Sequence, residues 1–180
     1  MREKTDFCAG WYFHRQDCGA SVALQYGTIV NLPHTWNAFD GQDGDNDYYR
    51  GTCWYVKKFQ RPNLPKGGEA WLEFEGVAMT ADVYVNGRHL GHNEGGYSTF
   101  RINITSVLAE ENLVAVSVNN GKNRRVYPPK ADFTFYGGIY RKVSLITVPA
   151  SHFALDYYGS SGIKVTPNNA RLNNIKKKRK

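Results

Sequence analysis

No stretch of this sequence carries a sustained apolar repeat of 3.6 residues, so a helical bundle is excluded and long helices are not expected. No apolar run approaches the length that crosses a bilayer as a helix. The first residues, Met-Arg-Glu-Lys-Thr-Asp, lack the apolar centre of a signal peptide. A soluble cytoplasmic protein is the default expectation, or a secreted one if a leader has been removed. Cysteine is scarce: Cys8, Cys18 and Cys53 are an odd count with no Cys-x-x-Cys pair, which argues against a disulfide framework or a zinc ribbon. There is no Gly-x-Ser-x-Gly elbow, and nothing flanking Ser98 or Ser144 would activate a hydroxyl. Gly95-Gly96 lacks the Lys-Ser/Thr and the strand-to-helix setting of a phosphate-cradling loop. Asn103-Ile104-Thr105 is a glycosylation sequon by pattern, and without a secretory signal it carries little weight.

Acidic residues are missing from one place in particular. Positions 168–180 hold six of the 23 basic residues and no carboxylate. Without them the remaining basic residues nearly balance the 16 acidic ones, so the formal charge of +7 belongs to a tail and the body is close to neutral. Such a tail can bind nucleic acid or anionic lipid or act as a localisation signal. A solvated, disordered end or a truncated terminus is the expectation here, with no nucleic-acid and no membrane partner. The 180 residues, 41% hydrophobic and 14% aromatic, suit one globular domain over 1–167 followed by the basic tail 168–180.

What the sequence does have is a period of two. Alternation runs through 52–59, where Trp54 and Val56 oppose Tyr55 and Lys57, and through 70–75, where Leu72 and Phe74 oppose Glu73 and Glu75. Asn86-Gly87 between apolar runs at 82–85 and 88–91 is a strong hairpin signal. Phe100, Ile102 and Ile104 share one face, as do Val114, Val116 and Val118. Further strands are expected at 11–14, 28–32, 139–148, 153–157 and 162–166, with one short turn at 106–111 capped by Thr105. The fold class expected is all-β, a β-sandwich of jelly-roll type. The longest loop is 31–50, and a loop of that length in a compact domain is usually functional or mobile.

Three segments carry candidate chemistry. Asp132 precedes Phe133, Phe135, Tyr136 and the Gly137-Gly138 turn, which sets one carboxylate among flat rings at a strand edge, a setting suited to sugar hydroxyls; a packed turn is the equally open alternative. The loop from Asp40 to Arg50 places Asp43, Asp45 and Asp47 at EF-hand spacing. Tyr48 stands where that motif needs glycine and Trp54 where it needs glutamate, so the EF-hand fails and a polar or ligand-facing loop is expected. His89 and His92, with Glu94 beyond, lie three apart in a strand, where such residues point to opposite faces; hydrogen-bonded surface histidines are expected over metal ligands. No metal is therefore called from the residues.

Taken in order, six segments resemble one family: Leu32-Pro-His-Thr-Trp-Asn37; Tyr49-Arg-Gly-Thr-Cys-Trp-Tyr-Val-Lys-Lys-Phe59; Trp71-Leu-Glu-Phe-Glu-Gly-Val77; Asp82-Val-Tyr-Val-Asn-Gly87 with Leu90-Gly-His92; Gly95-Gly-Tyr-Ser-Thr-Phe100 with 112–118; and Asp132 to Arg141. The chain is similar over 8–167 to the N-terminal sugar-binding domain of glycoside hydrolase family 2, the β-galactosidases and β-glucuronidases. The resemblance implies a jelly roll that in complete enzymes precedes an immunoglobulin-like domain and a catalytic barrel, whose two glutamates work by a retaining mechanism. Both later domains are missing from the sequence, so this chain by itself is not expected to hydrolyse glycosides and no catalytic residue is assigned to it. By the same resemblance Asp132 binds hydroxyls of the terminal sugar, beside a sodium ion in some relatives, and Asn46 and Asp47 are weaker substrate contacts. The partners implied are a β-galactoside or related glycan and the two missing domains, and a homo-oligomer is left open. The alternative is a stand-alone, lectin-like carbohydrate-binding module.

Overall fold

Period-two alternation becomes strand wherever one face of a segment can be buried. In the computed structural model, which describes residues 1–40, 48–127 and 134–166, this happens in ten strands: β1 Glu3–Asp6, β2 Trp11–His14, β3 Thr28–Val30, β4 Thr52–Gln60, β5 Glu69–Phe74, β6 Thr80–Val85, β7 Arg88–Glu94, β8 Phe100–Asn103, β9 Glu111–Asn119 and β10 Val143–Val148. They form two antiparallel sheets, one of four strands in the order β1-β10-β5-β8 and one of six in the order β3-β2-β4-β9-β6-β7. The inward residues of both sheets meet in one cluster. Leu72 and Phe74 of β5 and Val143 of β10 share it with Tyr55 of β4, Val83 of β6 and Val116 of β9. Burying side chains of this size contributes about 1.5–3 kcal/mol each, the largest favourable contribution to the sandwich. The all-β sandwich expected from the sequence is the fold observed.

Several local expectations change. An eight-residue helix, α1 Gly19–Tyr26, lies on the outer face of the six-stranded sheet, where Ala23 packs on Val56 and Ala115. Strand β1 was not expected, because its Glu-Lys-Thr-Asp is exposed at every position and its only strand partner is β10. The expected strand at 139–148 begins only at Val143. Neither 153–157 nor 162–166 is a strand. Instead Leu155 closes a small apolar cluster with Trp71, Ile146 and Val148 on the outer face of the four-stranded sheet. The expected turn is a single 3-10 turn, Thr105–Val107, and Thr105 does not cap it by its side chain. Its hydroxyl accepts from the Ala70 amide at 2.9 Å and so ties the turn to β5.

The outer strands of both sheets are short or irregular. β1 and β8 have four residues each and β3 has three, while β7 carries a bulge against β6. The hairpin between β6 and β7 turns at Asn86 and Gly87, both with positive φ (50° and 77°), as the Asn-Gly signal requires. No helix among the described residues is long and apolar enough to cross a membrane.

One charge cluster fastens the four-stranded sheet to the chain that leaves it. Glu73 is buried on the outward face of β5, and Arg101 of β8 donates to it from Nε at 2.6 Å. Arg101 Nη1 also donates to the carbonyls of Leu155 and Ser160, and Lys4 of β1 lies 2.6 Å from Glu73 on the other side. Burial alone would raise the Glu73 carboxyl; Lys4 and Arg101 outweigh it and hold the group below the ordinary glutamate range. A carboxyl depressed in the folded state stabilises the fold above the unfolded value and loses that contribution as pH falls through the folded one. Resistance to urea should therefore fall as pH drops below about 4.3, and that dependence should be flatter in Glu73→Gln. At neutral pH that variant leaves Arg101 buried without its anion and should cost about 3–5 kcal/mol.

Candidate functional site

Two asparagine side chains with no solvent exposure, Asn37 and Asn120, join three stretches of loop beside the end of β9. Asn37 Oδ1 accepts from the Gly137 amide at 2.7 Å and from Asn120 Nδ2 at 3.2 Å. Asn37 Nδ2 donates to Asp40 Oδ2 at 2.8 Å and to the Tyr49 carbonyl at 3.0 Å. Asn120 Nδ2 donates to the carbonyls of Tyr49 and Phe135, at 3.2 and 3.0 Å, and its Oδ1 accepts from the Gly51 amide at 2.9 Å. Each amide thus bridges backbone groups that no sheet satisfies, which is how buried loop backbone avoids a desolvation penalty.

The sequence around Gly137-Gly138 folds as it does because nothing larger fits. A Cβ on Gly137 would lie 2.0 Å from Trp36 Cζ2, and one on Gly138 would lie 2.3 Å from the His34 carbonyl. Gly138 also takes φ of 135°, which strains any residue with a side chain. These glycines shape the turn, as the sequence led us to expect. They let 137–139 run beside 34–36, with the His34 amide donating to Ile139 at 2.9 Å and Thr35 Oγ1 to Gly137 at 2.8 Å. Beneath them Tyr55 Oη lies 2.8 Å from His34 Nδ1, and burial lowers the His34 pKa.

Asp40 opens the acidic loop. Burial would raise its carboxyl, but the Tyr49 amide, Asn37 and Arg15 outweigh that and hold it below the usual range. Arg15 Nη2 reaches both Asp40 oxygens, at 3.1 and 2.9 Å. Asp40 is therefore spent on fixing the loop root. Arg50, at the other end, donates from Nε to the Asn120 carbonyl at 3.0 Å and stacks on Phe135 and Tyr48, 5.0 and 5.7 Å from their ring centres. Phe135 packs inward on Ala78, Met79 and Val126, whereas Tyr136 is 48% exposed. With Tyr97 and Tyr140, these two rings line a mostly apolar cleft of about 270 Å³ beside the turn. A larger hollow of about 470 Å³, walled by Val148, Pro149, His152 and Phe153, shares no residue with this cleft or with the asparagine network.

The residues expected to touch sugar, Asp132, Asn46 and Asp47, lie outside the described residues, as do Phe133, the acids Asp43 and Asp45 and the tail. The sodium that the resemblance implies beside Asp132 falls with them. What the structure does bring together is the set of anchors on either side of those segments: Asp40 and Tyr49 around one, Val126 and Phe135 around the other. Sequence reasoning missed Asn37 as a tie and Asn120 altogether, since Asn119-Asn120-Gly121 reads as an ordinary turn after a strand.

The histidine expectation is corrected by the bulge. Between Val83 and Tyr84 the register slips, so His89 pairs with Tyr84 while Gly91 pairs with Val83, and Leu90 is the extra residue. His89 and His92 therefore share one face, and His89 Nε2 and His92 Nδ1 both lie 2.9 Å from Asp82 Oδ1. They are hydrogen-bonded surface histidines. Among the described residues no group of three His, Cys, Asp or Glu residues is arranged to hold a metal ion. Asp82 raises the His92 pKa, followed by Glu94 at 3.5 Å.

Two outcomes follow for the folded chain. Asn120→Ala strips partners from the Gly51 amide, the buried Phe135 carbonyl and Asn37 Oδ1, and should cost about 2–3 kcal/mol in chemical denaturation. His92 should titrate above about 6.5 by NMR, and Asp82→Asn should bring it back down. The stabilisation linked to His92 is complete below about 6.5 and disappears as pH rises through the folded value.

The comparisons with known proteins identify the family. Residues 19–149 match the family model described as glycosyl hydrolases family 2, sugar binding domain. A β-glucuronidase from Bacteroides fragilis is 42% identical over 137 residues, covering 74% of this chain and 20% of that protein. A β-galactosidase from Thermoanaerobacter pseudethanolicus is 31% identical over 167 residues, covering 87% of this chain and 22% of that protein. The crystal structure of an FMN-binding β-glucuronidase from F. prausnitzii superposes with a TM-score of 0.82 at 43% identity, covering 93% of this chain and 26% of that one. The chain spans about a fifth of the length of the curated relatives it matches. By sequence, fold and coverage, the chain belongs to glycoside hydrolase family 2, as its sugar binding domain.

Proposed function

We propose that this domain supplies one wall of the sugar pocket of a larger family 2 glycosidase acting on a β-glucuronide or β-galactoside, and that bond cleavage belongs to a barrel outside this chain. The observation that carries the reading is the convergence of loop roots on Asn37 and Asn120. Asp47 is two residues from Tyr49, and Asp132 is three from Phe135. The carbonyls of Tyr49 and Phe135 both accept from the Asn120 side-chain amide, so the described roots of the two segments meet at one place.

The chemistry suits a polyol. Carboxylates and amides beside aromatic rings give hydrogen bonds to hydroxyls and an apolar surface for the sugar's C–H faces. In this reading Asp132, with Asn46 and Asp47 in support, orients the terminal sugar. The acid/base and nucleophile of a retaining mechanism are two glutamates of the barrel. The exposed rings of Tyr97 and Tyr136 beside the rim form the apolar surface on which the rest of such an enzyme would pack.

A wall without the rest of its pocket binds weakly. With the purified chain we expect no turnover of chromogenic β-glucuronides or β-galactosides, and a Kd on the order of 1 mM or weaker for the sugars. In amide NMR the shifts should gather at Asn37, Gly51, Asn120 and Gly137. Micromolar affinity would favour the lectin-like module instead. No shift at those amides at roughly fifty times that concentration would remove the sugar site from this face.

A further inference from the structure

Away from the asparagine network, a second set of linked polar groups lies on the edge of the six-stranded sheet. Asp82 of β6, His89, His92 and Glu94 of β7, and Arg125 of the loop after β9 form one chain of contacts. We infer that His92, seated between the carboxylates of Asp82 and Glu94, is a proton-operated clasp that links this edge to the Arg125 loop. Such a device works whatever the neighbouring site binds.

The bulge in β7 makes the arrangement possible. It brings both imidazoles to one face, where His89 Nε2 and His92 Nδ1 share Asp82 Oδ1 at 2.9 Å each. His92 then turns its other nitrogen, Nε2, toward Glu94 Oε1 at 3.5 Å. A neutral imidazole has one N–H and one lone pair. With the proton on Nδ1 and bonded to Asp82, the Nε2 lone pair faces the Glu94 carboxylate, and the other tautomer only moves the mismatch to Asp82. The imidazolium, with a donor at each nitrogen, satisfies both carboxylates at once. The ring is therefore placed to take up a proton, in line with the raised pKa that Asp82 and then Glu94 give it.

Glu94 carries the consequence away from the edge. Its Oε1 also accepts from Arg125 Nη2, so one oxygen serves a permanent cation and a ring that is charged only in acid. Next to Arg125, Val126 is buried against Ala78, Met79 and Phe135, three residues that line the apolar cleft. Glu94 itself leads into Gly95, whose amide donates to the Met79 carbonyl at 3.0 Å, and into Gly96 on the cleft wall. A proton on His92 draws Glu94 toward the strand and sets a second cation beside Arg125, which weakens the hold on the loop. Above the titration Glu94 belongs to Arg125 alone. The other charged or titratable groups near this edge are occupied elsewhere. Burial raises the pKa of Tyr84, 5.0 Å from the His89 ring, and so keeps it neutral; Asp17 accepts from Trp54. Arg101 of β8 is committed to Glu73, and Arg88 lies at the far end of the hairpin, opposite Val85.

The test is an NMR titration of this chain from about pH 5 to 8, following the His89 and His92 rings and the amides of Asn93, Arg125 and Val126. In the wild type the Arg125 and Val126 amides should move with the His92 midpoint. Their opening, read by hydrogen exchange corrected for its intrinsic pH dependence, should rise about two- to fivefold in acid, the span expected of one exposed ion pair. Glu94→Gln should leave His92 and Asn93 titrating against Asp82 while Arg125 and Val126 no longer follow. Asp82→Asn should lower the His92 midpoint and carry the loop response down with it. If Arg125 and Val126 ignore the His92 transition in the wild type, the clasp does not exist, and that result needs no variant. If they still follow His92 in Glu94→Gln, the link through Glu94 is overturned. Opening that falls in acid would equally contradict two cations competing for one oxygen.

Discussion

Two buried asparagine amides set the geometry on which everything else at this end of the sandwich depends. Asn37 and Asn120 make seven of the hydrogen bonds that join the loop after β3, the entry to β4, the exit of β9 and the Gly137 turn. The sheets alone do not bring these stretches together. The sheets supply stability through apolar burial, which is non-directional and fixes no loop to within an ångström. Directional amide bonds in a dry setting do that, and they work only when every donor and acceptor is matched. The result is a fixed set of loop roots at Asn37, Tyr49, Gly51, Phe135 and Gly137.

The division of labour is visible in the charges as well. Asp40, Glu73 and Asp82 each hold a bond to a cation or an imidazole and serve structure. Arg50 is held by a carbonyl and two rings, with no carboxylate on it among the described residues. Buried or half-buried charges in folded proteins are usually neutralised from within. Around these roots the neutralised ones keep the loops in place, and the acids proposed for substrate stand on the segments those loops support.

Much of the sandwich was legible because its strands bury one face and expose the other. Val114, Val116 and Val118 point to the core as their spacing demands, and Asn86-Gly87 turns where it should. Strand β1 was not legible, because four exposed polar residues have no alternation to read; only the β10 backbone opposite makes them a strand. Helix α1 escaped for a similar reason, since its contact with the sheet rests on the small side chain of Ala23 and no acidic residue marks its first turn. The false strand at 153–157 arose from Phe153 and Tyr157, which alternate with polar neighbours but lie exposed, while Leu155 is the residue that packs. At the site, the aromatic turn and the acidic loop announced themselves by composition. The asparagines that unite them did not, because a satisfied buried amide looks in sequence like any turn residue. His89 and His92 were misplaced by one residue of bulge, which no spacing rule anticipates.

The outer strands bear on how such a domain behaves beside its neighbours. Open sheets invite other chains to add a strand along their margins, and the hazard is greatest for long, flat, apolar edges. Here β1 presents Glu3, Lys4 and Asp6, β3 offers three residues, and β7 is bent by its bulge and bears charged and imidazole groups. None of these margins is a good template. A unit that makes up a fifth of far longer relatives can thus exist in many copies, or next to unfinished segments of the same polypeptide, without the sheets knitting together.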